Sequence, residues 1–226
     1  MFIYLYNLNN LHPMELKINE IYYSIQGESS FTGKPCIFIR LTYCNLRCSY
    51  CDSEYTFYEG KDMTINNILK EIEKYPCNLV EVTGGEPLFQ KNCINLLNEL
   101  VRKRYKVLLE TGGSLTIKHV PKEVINIIDF KCPSSRMSKK NICENVDYIK
   151  KNDEIKFVIG NKEDYEWSKN KILEYKLNSK CDIIFSPVYN EIEPKKIIDW
   201  ILKDNLNVRF QIQLHKEIWP ESDRGV

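Results

Sequence analysis

With 226 residues, 43% of them hydrophobic, the chain has enough apolar material for one sizeable core, and its net charge of +1 reflects closely balanced acids and bases. That balance excludes the basic footprint of a nucleic-acid binder or of a protein held on an anionic membrane, and no apolar run reaches the length of a membrane span. A small-molecule substrate is the class that remains favoured.

Residues 1–13 begin apolar but have no basic start and no small-residue cleavage site, and Asn7, Asn9 and Asn10 interrupt them; they do not form a secretory signal. They read as an N-terminal extension without an assigned function, ahead of a single domain over 14–226. Apolar or β-branched runs predict strands near 17–23, 36–43, 78–83, 105–110, 125–130, 154–159, 182–187 and 207–213. Helical spacing predicts helices near 64–75, 91–104, 163–177 and 194–205, with Thr64 as an N-cap and Pro194 in a first turn. This alternation predicts a parallel sheet. The stretches 111–124 and 131–153 have weaker periodicity, and the chain is too short for eight complete units. The fold class expected is therefore α/β, a partial (β/α) barrel of TIM-like type with some crossover helices reduced to loops.

Polar and glycine-rich motifs follow the predicted strands. The segment with Cys44, Cys48 and Cys51 follows 36–43, Thr83-Gly-Gly-Glu-Pro87 follows 78–83, Glu110-Thr-Gly-Gly113 ends 105–110, Lys131-Cys-Pro-Ser-Ser135 follows 125–130, and Gln213-Leu-His215 ends the last strand. In parallel barrels the C-terminal strand ends carry the active site, so five motifs on one rim predict a site there.

The CxxxCxxC spacing of Cys44, Cys48 and Cys51 is the most specific chemical signal. A four-iron cubane normally takes four thiolates, so three local ones leave an iron open to chelate a small molecule. For this spacing that molecule is S-adenosylmethionine, whose reductive cleavage yields a 5'-deoxyadenosyl radical. Zinc is the weaker alternative, because Cys48-x-x-Cys51 has no second pair. Nine cysteines is an odd number, and the six outside the triplet (Cys36, Cys77, Cys93, Cys132, Cys143, Cys181) are scattered, which fits a reduced compartment better than a disulfide framework. Gly84 and Gly85 permit close backbone approach to a ligand or form an ordinary tight turn, and Glu86 adds a carboxylate. Ser134 and Ser135 either reach a ribose or cap a turn. Arg40 lies inside the apolar run Ile37-Phe-Ile-Arg-Leu41; a buried guanidinium needs an anion, from a neighbouring carboxylate or from a substrate. His215 stands out only by its position at a strand end.

CxxxCxxC followed by GGEP resembles the radical S-adenosylmethionine superfamily. Tyr23-Ser-Ile-Gln-Gly-Glu28, Phe38-Ile-Arg-Leu41, Cys48-Ser-Tyr-Cys-Asp-Ser53, Lys131-Cys-Pro-Ser-Ser135, Leu214-His-Lys and the terminal Arg224-Gly-Val226 resemble the 7-carboxy-7-deazaguanine synthases, over residues 14–226. The resemblance implies a cytoplasmic, homodimeric lyase of queuosine and 7-deazapurine biosynthesis, converting 6-carboxy-5,6,7,8-tetrahydropterin to 7-carboxy-7-deazaguanine with loss of ammonia. Hydrogen abstraction at C6, ring contraction and regeneration of S-adenosylmethionine are the implied steps, with a reductant such as flavodoxin. On this chain it implies a [4Fe-4S] cluster on Cys44, Cys48 and Cys51. Ile25, Gln26, Gly27, Glu28, Arg40, Thr83 and His215 would form the pterin site. Tyr50, Asp52, Gly85, Glu86, Pro133, Ser134 and Ser135 would face S-adenosylmethionine. Magnesium would sit at Ser53, where the family usually has threonine; serine keeps the hydroxyl ligand. The alternatives are another radical enzyme, such as a glycyl-radical activase, and a non-enzymatic zinc or cluster module.

Overall fold

The computed structural model describes residues 14–222 and 224–226; the expected extension over 1–13 lies outside the described residues. Nine strands form one sheet: β1 (Glu15–Ile25), β2 (Pro35–Leu41), β3 (Lys61–Thr64), β4 (Leu79–Gly84), β5 (Lys106–Thr111), β6 (Ile125–Asp129), β7 (Glu154–Ile159), β8 (Asp182–Pro187) and β9 (Arg209–Phe210). The order is β3-β1-β2-β4-β5-β6-β7-β8-β9, open at both ends. From β2 through β9 the neighbours are parallel, and β1 is antiparallel to both β2 and β3. The expected partial barrel is what forms.

The four expected helices are present as α1 (Ile65–Ile72), α2 (Cys93–Arg102), α3 (Lys162–Glu174) and α4 (Pro194–Lys203), and α5 (Leu214–Ile218) is added. Thr64 caps α1 by accepting from the Asn67 amide at 3.2 Å, and Pro194 occupies the first turn of α4, where its missing N–H costs nothing. The weakly periodic stretches before β6 and β7 contain no α-helix, only irregular chain and short 3-10 turns.

Three strand expectations need correction. The 26–34 connection between β1 and β2 is too short for a helical crossover, so this pair is an antiparallel hairpin inside the parallel pattern. β3, Lys-Asp-Met-Thr, is short and mostly polar and gives no period-2 signal. The last strand shrinks from 207–213 to two residues. Beyond it the Gln211 side chain turns to the Ser29 carbonyl oxygen at 2.9 Å, and His215 therefore sits in α5, not at a strand end.

The two faces of the sheet follow the strand period. Ile37, Ile39, Val80, Val82, Val107 and Leu109 point outward and pack with Ile68, Leu69, Leu96 and Leu97 of α1 and α2. Ile155, Phe157, Ile159, Ile183 and Phe185 do the same beneath α3 and α4. The inward face changes character along the strands. At the N-terminal half Cys36, Phe38, Leu79, Leu108, Ile125 and Ile127 plug the interior with Phe31 and Tyr22. Two residues beyond Phe38, Leu79, Leu108 and Ile127 on the same strands stand Arg40, Glu81, Glu110 and Asp129, and with Thr83 farther along β4 and Lys156 on β7 they line a cavity. An apolar floor beneath a polar rim is the consequence.

Candidate active site

The cavity opens at the C-terminal strand ends and has a volume of about 490 Å³, in the range of a small-molecule site. Cys44, Cys48 and Cys51 all reach it from the loop after β2, and all three are free and partly exposed. The loop enters through Tyr43 at φ 78°, a left-handed conformation uncommon for a side chain of this size. Two hydrogen bonds hold it: the Tyr43 amide donates to Thr56 O at 2.8 Å, and Tyr43 O accepts from the Glu86 amide at 2.8 Å. Burial pushes the Cys48 thiol up to about 11, with Lys131 working against it, so binding metal there releases a proton. Among the described residues no three His, Cys, Asp or Glu side chains converge on one ion.

Gly84 and Gly85 explain how the loop is seated. Gly84 has φ 144°, and a Cβ there would strike the backbone of Leu41. A Cβ on Gly85 would strike Tyr43 O and come within 2.8 Å of Cys44 Cβ. The close approach that requires glycine is thus to the chain's own cysteine loop, while Gly85 also borders the cavity.

The first and last motifs of the chain meet across the open side of the barrel. Leu214 donates its amide to Gly27 O at 3.0 Å, and a Cβ on Gly27 would collide with the His215 ring. Gln213 Nε2 donates to Glu28 Oε1 at 3.0 Å and to Asp52 Oδ2 at 3.3 Å; Lys216 Nζ donates to the same Asp52 oxygen at 2.7 Å. Ile25, Gln26, Gly27, Glu28, Asp52 and His215 consequently line one cavity with the cysteines. Burial lowers the His215 pKa despite Glu28 and Asp52, which keeps the imidazole neutral at physiological pH.

Arg40 has the protein carboxylate that was one of its two expected partners. Nε donates to Glu20 Oε1 at 2.7 Å from the paired position of β1, and Nη2 donates to Tyr22 Oη at 2.8 Å. Nη1 makes no hydrogen bond among the described residues, and the side chain borders the cavity.

The inner wall holds charges that motif reading missed. Lys156, 4% exposed in β7, donates to Glu28 Oε2 at 2.7 Å and to Glu110 Oε1, with Asp129 Oδ2 at 3.8 Å. Lys131 Nζ donates to Asp129 Oδ2 at 2.8 Å, while Asp129 Oδ1 and Tyr50 Oη are buried without a partner among the described residues. Thr83 Oγ1 reaches Glu110 Oε2 at 3.4 Å. The signal that singled out Arg40, a charge within an apolar strand run, is also present in Glu-Ile-Lys-Phe-Val-Ile159 and Leu-Val-Glu-Val82.

Glu81, 3% exposed, accepts from the Gln26 side-chain amide. Burial, then Glu110 and Glu28, drive its pKa well above the usual range. The folded protein thus keeps a proton that the unfolded chain releases above about pH 4.3, and this group's contribution to stability falls as pH rises from there. Glu81→Gln is expected to flatten the fall in melting temperature between pH 5 and pH 8, measured on the reconstituted protein; an unchanged slope would count against this assignment.

Four expected contact residues lie outside the cavity lining. Glu86 is fully buried, and its carboxylate accepts from Thr111 Oγ1 at 2.8 Å, the Gly112 amide at 2.8 Å and the Leu88 amide at 3.1 Å. Pro133–Ser135 forms a 3-10 turn whose hydroxyls are used within the fold: Ser134 Oγ donates to Asp164, and Ser135 Oγ donates to Cys132 O at 2.5 Å. Its carbonyls hold the cysteine loop, accepting from the Ser49 amide at 3.1 Å and Ser49 Oγ at 2.6 Å.

An open parallel barrel with a three-cysteine loop after its first parallel strand, facing a polar cavity, defines a radical S-adenosylmethionine domain. The Radical SAM superfamily model accordingly matches residues 38–201. The 7-carboxy-7-deazaguanine synthase of Koribacter versatilis is 43% identical over 93% of this chain and 100% of its own, and that of Chlorobaculum tepidum is 44% identical over 93% and 97%. The crystal structure of QueE from Escherichia coli has the same fold, with TM-score 0.75 at 22% identity over 89% of this chain and 95% of that one. The chain belongs to the 7-carboxy-7-deazaguanine synthase family, within the radical SAM superfamily.

Membership implies a [4Fe-4S] cluster and S-adenosylmethionine, and the residues present fit both. Three thiols share one cavity, whose lining also includes Tyr50 and Asp129, each with a buried oxygen, Oη and Oδ1, that has no hydrogen-bond partner among the described residues. No helix among the described residues is long and apolar enough to cross a membrane.

Proposed function

We propose that residues 14–226 act as one radical SAM domain that converts 6-carboxy-5,6,7,8-tetrahydropterin to 7-carboxy-7-deazaguanine with release of ammonia. One observation carries this reading: the thiols of Cys44, Cys48 and Cys51, the 25–28 turn, Arg40 and His215 all line a single cavity. When bound, the cluster with S-adenosylmethionine supplies a 5'-deoxyadenosyl radical. The chain's own part is to hold the substrate where that radical forms and to exclude water.

In this reading the free Nη1 edge of Arg40 grips the substrate carboxylate, and Ile25, Gln26, Gly27 and Glu28 cradle the ring, with Thr83 and neutral His215 completing the pocket. Gly85, Tyr50 and Asp52 border S-adenosylmethionine, while the Pro133–Ser135 turn acts by clamping the cysteine loop. Ser53 borders the cavity, and its hydroxyl does not cap the turn it precedes but lies 3.9 Å from Cys51 Sγ; once that thiol is bound as a cluster ligand, the oxygen would serve magnesium. Magnesium, a flavodoxin-type reductant, homodimerisation and a cytoplasmic location are parts of this proposal.

The test is anaerobic turnover of the reconstituted protein with the carboxytetrahydropterin, S-adenosylmethionine, magnesium and reductant, read by mass spectrometry. The expected product is 7-carboxy-7-deazaguanine. Formation of 5'-deoxyadenosine alone would retain radical chemistry and overturn the substrate.

A further inference from the structure

Lys156 is a buried cation that the proposed reaction leaves without a role. It faces Glu81 from β4, Glu110 from β5, Asp129 and Lys131 from β6 and its following turn, Glu28 from the loop after β1, and Asp52 and His215 from the segments above. It ion-pairs most closely with two of these, Glu28 from the loop after β1 and Glu110 from β5, with Asp129 farther off at 3.8 Å. A charge in such surroundings is costly, and here one ammonium compensates two carboxylates. The outcome differs sharply among the acids. Burial raises Glu28, but Lys156 first and then His215 outweigh it and hold the carboxyl below its usual range, whereas Glu81, without an ion pair, is driven upward.

We propose that Lys156 is a positioning residue: by bridging Glu28 and Glu110 it keeps both carboxylates aimed into the cavity as hydrogen-bond acceptors for ring N–H groups of the substrate. This rests on the substrate assignment above. A bicyclic ring rich in amide and amine N–H groups needs acceptors, and a protonated carboxyl loses half of that capacity. Removing the ammonium leaves two half-buried carboxylates facing each other without their shared cation, and one of them takes up a proton. Substrate binding then weakens and becomes sensitive to acid.

The experiment compares steady-state turnover of anaerobically reconstituted unsubstituted, Lys156→Met and Lys156→Arg proteins with the carboxytetrahydropterin, with iron content and visible absorbance confirming folded holoenzyme. Lys156→Met is expected to raise KM about 30-fold or more and to move the acid limb of kcat/KM up by about one pH unit, and Lys156→Arg to keep the limb in place. A Lys156→Met enzyme with KM within about threefold and an unmoved limb would overturn the role. Should Lys156→Met fail to fold, calorimetric binding of 7-carboxy-7-deazaguanine to the unsubstituted holoenzyme decides. Affinity is expected to stay constant from pH 8 to about pH 5.5, and weakening of more than about threefold by that point would overturn it. Absence of turnover in the unsubstituted enzyme would instead refute the substrate assignment, and this inference with it.

Discussion

Cys48→Ala protein, reconstituted with iron and sulfide under anaerobic conditions, is expected to remain colourless and to lose turnover by about a thousandfold or more, because the cofactor supplies the hard chemistry. Only two thiols would be left on a loop built to present three. The fold should survive the change. Cys48 is partly exposed and belongs to none of the three apolar clusters, and the loop is held by backbone bonds from Tyr43, Glu86 and Ser49 that the substitution does not touch. The expected shift in thermal stability of the metal-free protein is therefore within about 0.5 kcal/mol, typical of sites away from the core. Iron analysis and the broad visible absorbance check the loss directly. A brown, active Cys48→Ala protein would remove the cluster assignment.

The second large effect is expected from Arg40→Ala. Its guanidinium is held by Glu20 and Tyr22, which set its orientation and leave Nη1 without a partner among the described residues, and the residue lines the cavity. Truncating one partner of a buried, hydrogen-bonded charge pair costs about 3 kcal/mol, or about 150-fold in kcat/KM for the carboxylated pterin. Arg40→Lys should recover only part of this, because an ammonium cannot offer a planar fork. Cluster absorbance and iron content should match those of the unsubstituted protein, which separates lost substrate binding from lost folding. Unchanged kcat/KM would show that Glu20 is the only anion Arg40 serves.

Motifs of short spacing were legible because their chemistry depends on residue type alone. Three thiols within eight residues, a glycine pair after a strand and an arginine inside Ile-Phe-Ile-Arg-Leu each carry meaning before any folding is considered. The helices were legible for the same local reason: α1 repeats Ile65, Ile68, Leu69 and Ile72 at the helical period. The wall of charges was harder. Lys156, Glu81 and Asp129 are single residues in three strands, and nothing local says that they share a face or which acid each base will meet. The burial rule applied to Arg40 extends to Lys156 and Glu81, whose strands are just as apolar.

Glu86, Ser134 and Ser135 show the opposite case. Their types suit ligand contact, yet in the folded chain their side chains are committed to Thr111, Gly112, Asp164 and Cys132, and the cavity is lined by others. His215 combines both lessons, since it reaches the cavity from a short helix after the chain has left the sheet.

The sequence by itself determined the half-barrel, its four longer helices and the cysteine loop, because hydrophobic period and ligand spacing are local properties of the chain. Only the tertiary structure decided which charges meet. Glu28 finds Lys156 across 128 positions, and Gln213 reaches Asp52 across 161, pairings set by strand order and register.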